Sequence, residues 1–244
     1  MRLIRVFIDG ALAAGAHVAA GATAAAHISR VLRLSAGDVV TLFNGDGSDY
    51  PARIAALAGA RVELDVLDRV GARPESPLAL SLVQGVARAE RMDLIVQKAT
   101  ELGVAAIQPI LSARSVPRFD AGATERKLAH WRGIAVAACE QCGRARLPSI
   151  EAPLSLADWL ARPAPDARRL QLSVDASVAL ATAATGTDAI ELLIGPEGGF
   201  ADQERQAAEQ AGYRRAGLGP RVLRTETAAI AALALLQGIA GDLR

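Results

Sequence analysis

Twice between residues 190 and 238 the chain runs from a short strand-like stretch into a loop of glycine and proline, and from there into a helix. The first apolar run, Ile190 to Ile194, reads as a buried strand. It stops at Gly195-Pro196-Glu197-Gly198-Gly199. Pro196 fixes φ and removes a backbone donor, while the glycines permit positive φ or close backbone approach. Asp202 is placed to cap a helix that runs to Gly212. A second strand, 214–218, leads into the loop Gly217 to Pro220. After Val222-Leu223-Arg224, a helix starting near Thr225 carries Ala228, Ile230, Leu233, Leu235 and Leu236 on an apolar face. Either loop alone is an ordinary tight turn. The pair, each following a strand, implies a parallel α/β sheet that binds a small ligand in the crevice at its carboxyl ends.

The first 72 residues have another rhythm. Ile4, Val6 and Ile8 alternate as in a strand, Val39 to Phe43 reads as another, and Asn44-Gly45-Asp46-Gly47 as a hairpin turn. Residues 52–57 and 61–67 pair across Ala58-Gly59-Ala60, and 27–33 read as a short helix. This predicts a small antiparallel barrel, an architecture that often binds RNA through strand faces and loops. The breaker-rich stretch Gly71 to Pro77 is the linker to a second domain, 73–244. There, 78–83 reads as a buried strand, 85–102 as a helix with Met92, Ile95, Val96 and Ala99 at helical spacing, 104–111 as a strand and 124–142 as a helix.

About half of the 244 residues are apolar, enough for a sizeable core, and charges or turn residues interrupt every apolar run before it spans a bilayer. Asp9 and Gly10 arrive too early for a signal peptide, so a cytoplasmic location is expected. A formal charge of +1 neither demands nor excludes nucleic acid, but residues 112–149 hold seven basic residues against three acidic ones. Lys98 and Lys127 are the only lysines, so arginine carries the positive charge, which suits bidentate contacts to phosphate. Lys98 and Glu101 sit one helical turn apart as an ion pair, and Trp131 reads as core packing rather than a base-stacking platform. Cys139 and Cys142 form a C-x-x-C with no second pair, and the histidines are only His17, His27 and His130. No metal site is expected, and the cysteines read as reduced structural residues. The absence of G-x-G-x-x-G and of a P-loop lysine argues against dinucleotide and nucleoside triphosphate sites.

IGPEGGF (194–200) and LGPRVLRTETA (218–228), at this separation, resemble the signature of the SPOUT methyltransferases, and among them the ribosomal RNA small subunit methyltransferase E family. HISRVLRLSAGD (27–38) resembles the start of that family's PUA-like domain. RAERMDLIVQKATELGV (88–104), RSVPRF (114–119) and EQCGRARLP (140–148) follow its pattern, except that the family usually has a small or polar residue at each cysteine position. The resemblance implies an N-terminal PUA-like β-barrel and a C-terminal SPOUT α/β methyltransferase domain whose chain end, about 190–238, is threaded into a deep trefoil knot. It implies S-adenosyl-L-methionine as the cofactor and methylation of N3 of one uridine in 16S ribosomal RNA of the assembled 30S small subunit. It also implies a homodimer in which RNA-side residues of one subunit reach the cofactor of the other.

A sulfonium methyl needs little activation, so such a site must hold nucleophile and methyl in line. Uracil N3 carries a proton that must leave, or the developing imidate charge must be stabilised. The expected cofactor residues are Leu172, Gly195, Pro196, Glu197, Gly198, Gly199, Leu218, Gly219, Val222, Leu223, Arg224 and Thr227, many of them through backbone groups. Arg144 and Arg114 are expected to stabilise uracil oxygens, with Glu140 as the candidate base. Arg30, Arg33, Arg118, Arg126 and Arg132 are the expected RNA contacts, and Arg224 with Glu226 reads as a local ion pair bracing the knot. Two other readings stay open on the residues: a SPOUT methyltransferase for another rRNA or tRNA nucleotide, and a non-catalytic RNA-binding module of ribosome assembly.

Overall fold

The computed structural model describes residues 4–59, 61–115 and 121–243. The chain separates into two compact units, Met1–Glu75 with Val136–Leu147, and Ser76–Ala135 with Pro148–Arg244.

The first unit is a mixed sheet of β1 (Arg5–Phe7), β2 (His17–Ala19), β3 (Val39–Phe43), β4 (Ser48–Ala58), β5 (Arg61–Val66) and β6 (Val70–Gly71). The order is β1-β3-β4-β5-β2, with β6 on β4; β1 runs parallel to β3 and the other pairs are antiparallel. Alternation sets the faces: Tyr50, Ala52 and Ile54 of β4 are buried with Val6, Ile28, Leu42 and Leu64, while Arg53 points out. β2 is three residues long, too short for alternation to reveal it, and was not foreseen. The helix foreseen at 27–33 is α1 (Ala22–Ala26) widening into a π-turn over His27–Val31, after which Arg33 takes a left-handed φ of 53°.

The first unit does not close with its own first 75 residues. Residues 136–147 return to it, so the contiguous boundary drawn at 72/73 misses a segment. Cys139 and Ala145 pack with Phe43. Glu140 Oε1 accepts from the Phe7 amide at 3.0 Å. Arg5 donates to Asp49 Oδ2 at 2.7 Å and to the Arg144 carbonyl at 3.1 Å, with its guanidinium 4.8 Å above the Phe43 ring.

The second unit alternates strands and helices: β7 (Ala79–Gly85), α2 (Ala89–Glu101), β8 (Ala106–Leu111), α3 (Ala121–Cys142, of which the residues from Val136 on belong to the first unit), β9 (Ser149–Ile150), β10 (Leu154–Ser155), α4 (Leu156–Leu160), β11 (Arg168–Leu172), α5 (Leu180–Ala183), β12 (Ala189–Ile194), α6 (Asp202–Gln210), β13 (Arg214–Ala216) and α7 (Thr225–Ala240). Its all-parallel sheet has the order β10-β8-β7-β12-β11-β13, with β9 also on β8. Both faces are covered, as parallel sheets require. Leu80, Leu82 and Leu192 pack with Met92 and Ile95 of α2, Trp131 of α3, and Leu233 and Leu236 of α7. Val83, Ile110 and Leu193 face the other way, onto Leu156 of α4 and Ala208 of α6. Trp131 is therefore a core residue, 1% exposed. The chain steps outward from β7 to β8 and β10, crosses to β11, and then inserts β12 between β7 and β11. Among the described residues, no helix is long and apolar enough to cross a membrane.

Candidate active site

The inserted strand β12 ends at Ile194, and the first glycine loop follows at the carboxyl edge of the sheet. The Gly199 amide bonds the Pro196 carbonyl at 2.8 Å, closing a turn with Glu197 and Gly198 at its corners. Gly199 has φ 65°, where a side chain is strained. Gly198 has no positive φ; its requirement is space, because a Cβ there would lie 3.1 Å from Cβ of Arg114. Helix α6 is capped differently from expectation. Ala201 is the N-cap, Asp202 is the first helical residue, and Glu204 reaches back to the Ala201 amide at 2.8 Å and across to the Ala113 amide at 2.7 Å. One carboxylate thus fixes the exit of the glycine loop beside the loop that carries Arg114.

The second glycine loop follows β13 and contains Gly219 at φ 93°. The two loops, the end of β11 and the first turn of α7 enclose a cavity of about 550 Å³, within the roughly 300–1,000 Å³ of small-ligand sites. Leu172, Gly195, Pro196, Glu197, Gly198, Gly199, Leu218, Gly219, Val222, Leu223 and Arg224 all line it, as does Arg114. Thr227 does not; it is exposed on α7. Thr225 and Ala228, three apart and so on one helical face, line the cavity instead. Arg91, Arg205, Arg221, Ser173 and Phe200 are further wall residues not foreseen.

Charge at the cavity is arranged by Arg91, in the first turn of α2. Its Nη1 donates to Glu197 Oε1 at 3.0 Å, and its Nε lies 3.8 Å from Glu226 Oε1. Glu226 is thus approached by Arg91 rather than by Arg224, which makes no ion pair among the described residues. The Arg88 amide also donates to Glu197 Oε1 at 3.0 Å. Burial by itself would raise the Glu197 carboxyl, but the Arg88 amide, its own amide and the Arg91 guanidinium hold it below the ordinary glutamate value. Arg114 Nη1 donates to the Gly198 carbonyl at 2.9 Å, so this exposed guanidinium rests on the first loop.

The remaining expected site residues lie elsewhere. Arg144 and Glu140 belong to the first unit. Arg144 donates to Glu75 Oε2 through Nε at 2.9 Å and Nη2 at 2.6 Å, and Glu140 holds the Phe7 amide with His27 4.0 Å away. Arg30 and Arg33 are exposed on the first unit. Arg126 and Arg132 are exposed on α3, the latter 3.4 Å from the Ile150 carbonyl. Arg118 lies outside the described residues. Lys98 and Glu101 form the expected ion pair at 2.8 Å. Cys139 is buried and Cys142 half-buried, both as free thiols; the neighbouring Cys142 and burial push the Cys139 thiol far up.

The sequence matches the RNA methyltransferase domain family over residues 74–237 and the RNA methyltransferase PUA domain over 21–67. The ribosomal RNA small subunit methyltransferase E of Buchnera aphidicola subsp. Schizaphis graminum is 31% identical over 242 residues, covering 99% of this chain and 98% of its own. That of Mycobacterium bovis is 34% identical over 216 residues, covering 85% and 80%. Among solved structures, the ribosomal RNA small subunit methyltransferase E of Neisseria gonorrhoeae bound to S-adenosyl methionine superposes with a TM-score of 0.92 at 34% identity, covering 100% of both chains. A methyltransferase of Legionella pneumophila in complex with the same cofactor gives 0.96 at 36% identity, again covering 100% of both chains. With one family matched across the glycine-loop unit and full-length relatives across both units, this chain belongs to the ribosomal RNA small subunit methyltransferase E family.

Proposed function

We propose that this protein transfers the methyl group of S-adenosyl-L-methionine to N3 of a uridine in 16S ribosomal RNA, acting as a cytoplasmic homodimer on the assembled 30S subunit. The observation that carries the reading is the cavity itself: two glycine loops from separate strand ends enclose one space where the inserted strand β12 meets β11, the position at which open α/β sheets bind ligands. The residues fit the cofactor. Gly198 and Gly199 leave a cradle that side chains would fill or strain, and Leu172, Leu218, Val222 and Leu223 supply apolar wall around backbone donors and acceptors. The trefoil knot of the SPOUT fold belongs to the same reading, supported by the late insertion of β12 and the return of α7 to Gly195 through Thr225.

When bound, the cofactor supplies an electrophilic methyl on a sulfonium. The protein's own task is to orient the uracil and stabilise charge on it as N3 loses its proton. Among the expected catalytic residues, Arg114 is the one on the cavity wall. Its guanidinium, anchored through Nη1 on Gly198, has further N–H donors to offer a uracil oxygen. Arg144 and Glu140 take the supporting roles their contacts describe, holding the segment 136–147 within the first unit. Exposed Arg30, Arg33, Arg126 and Arg132 are the proposed phosphate contacts. Nucleoside mass spectrometry of small-subunit rRNA from a strain lacking the gene tests the reading. N3-methyluridine should vanish and return on complementation, and unchanged N3-methyluridine would refute it.

A further inference from the structure

We infer that Thr225, supported by Gln84, is a positioning residue that holds the two cofactor loops at a fixed separation; the inference rests on the cavity being the S-adenosylmethionine site. Thr225 is the first residue of α7 and is 6% exposed. Its Oγ1 donates to the carbonyl of Gly195 at 2.7 Å. That donation uses the only hydroxyl proton, so the same oxygen is left as an acceptor, and Gln84 Nε2 donates to it at 3.0 Å. Gln84 is fully buried at the end of β7 and also donates to the Gly85 carbonyl at 2.9 Å. The relay therefore runs from the sheet, through one hydroxyl at the start of α7, to the first residue of the other loop.

The position calls for a group that donates and accepts at one atom. Valine has the shape of threonine and can do neither. It would leave the part-buried Gly195 carbonyl with only the long 3.5 Å approach of Gln84 Nε2, and would take from that Nε2 its buried acceptor on Thr225. Serine keeps both functions. Beneath the relay, a Cβ on Gly85 would lie 2.5 Å from the Pro196 nitrogen, so the start of the first loop is already seated on the sheet. Gly195 and Thr225 both line the cavity. A ligand that touches both loops binds more tightly when their separation is fixed beforehand, because ordering them then costs nothing at binding. This role places Thr225 with the cofactor loops, where its effect on the reaction is indirect.

The test is calorimetry of the full chain with S-adenosylmethionine, with thermal melting of each variant alongside. Thr225→Val should weaken binding roughly tenfold, the scale of leaving one buried partner unsatisfied, and Thr225→Ser should restore it to within about twofold. At saturating cofactor, kcat of Thr225→Val should stay within a few-fold of wild type while KM for the cofactor rises by about the loss in affinity. Gln84→Met, which keeps the Thr225 donation, should weaken binding by about threefold and serves if Thr225→Val does not fold. A folded Thr225→Val protein with wild-type affinity and only a lower melting temperature would overturn the inference. Failure of wild type itself to bind S-adenosylmethionine would instead overturn the reading of the cavity on which the inference rests.

Discussion

Arg91 Nη1 and Glu197 Oε1 stand 3.0 Å apart at the wall of the cavity. The pair joins the start of α2 to the corner of the first glycine loop, and it is half-exposed, so its strength is modest and sensitive to salt. Arg91→Ala should weaken cofactor binding about two- to fivefold at low ionic strength, with the difference from wild type shrinking in high salt. Calorimetry at two salt concentrations measures both.

The same pair sets a pH dependence. Glu197 is held below the ordinary glutamate value, so the stability it contributes is present above that value and is lost as pH falls through the lower value in the folded protein. Wild type should melt higher than Glu197→Gln at neutral pH, and the gap should close in acid. A gap that widened on acidification would contradict the assignment. Thermal melts of both proteins across the acid range decide it.

Gly198→Val should abolish measurable cofactor affinity and leave the fold intact. The added Cβ meets Arg114 at 3.1 Å and the two methyls beyond it intrude further, while Gly198 is itself an exposed residue outside the core. Circular dichroism with calorimetry separates the two effects.

Arg114→Ala should lower the single-turnover methylation rate at saturating RNA by roughly a hundredfold if the guanidinium stabilises charge developing on uracil. An arginine that meets only phosphate would instead raise KM and flatten its salt dependence, leaving the rate at saturation unchanged. Methylation of purified small subunits at two salt concentrations distinguishes them.

Glu191→Ala should cost about 3–5 kcal/mol of stability, because it removes one member of a buried ion pair. Glu191 Oε1 lies 2.9 Å from Arg169 Nε, each side chain is 5% exposed, and Tyr213 donates to the same carboxylate. Denaturant titration measures the loss.

The glycine loops were legible because each carries its own constraint: Gly199 and Gly219 adopt positive φ, and Pro196 and Pro220 mark the same turns in the sequence. Burial of Trp131 was legible from residue type, since a large aromatic in a helix more often packs in a core than stacks on a base. What failed to show depends on contacts between distant residues. Thr225 and Thr227 are alike in sequence, and only the phase of α7, fixed by where it packs, turns Thr225 inward. Ala201 replaces Asp202 as the N-cap because Glu204 supplies the carboxylate. Arg144 looked free at the end of a basic helix, whereas Glu75 holds it from 69 residues away. Glu226 is met by Arg91, far back in the chain, although Arg224 is two residues away.

The return of 136–147 to the first unit has a consequence for synthesis. Phe7 waits for Glu140 across 133 residues, and Arg5 for the Arg144 carbonyl across 139. Domains generally fold as units, N-terminal first, as the chain emerges; here all six strands of the opening sheet are present once β6 is made, but the contacts that 136–147 bring to it are not. Completion is deferred until β7, α2, β8 and α3 have been made, and pairings of such long sequence separation form slowly. Phe43 therefore stays without its Cys139 and Ala145 cover through that interval, an apolar ring left open on the nascent N-terminal sheet.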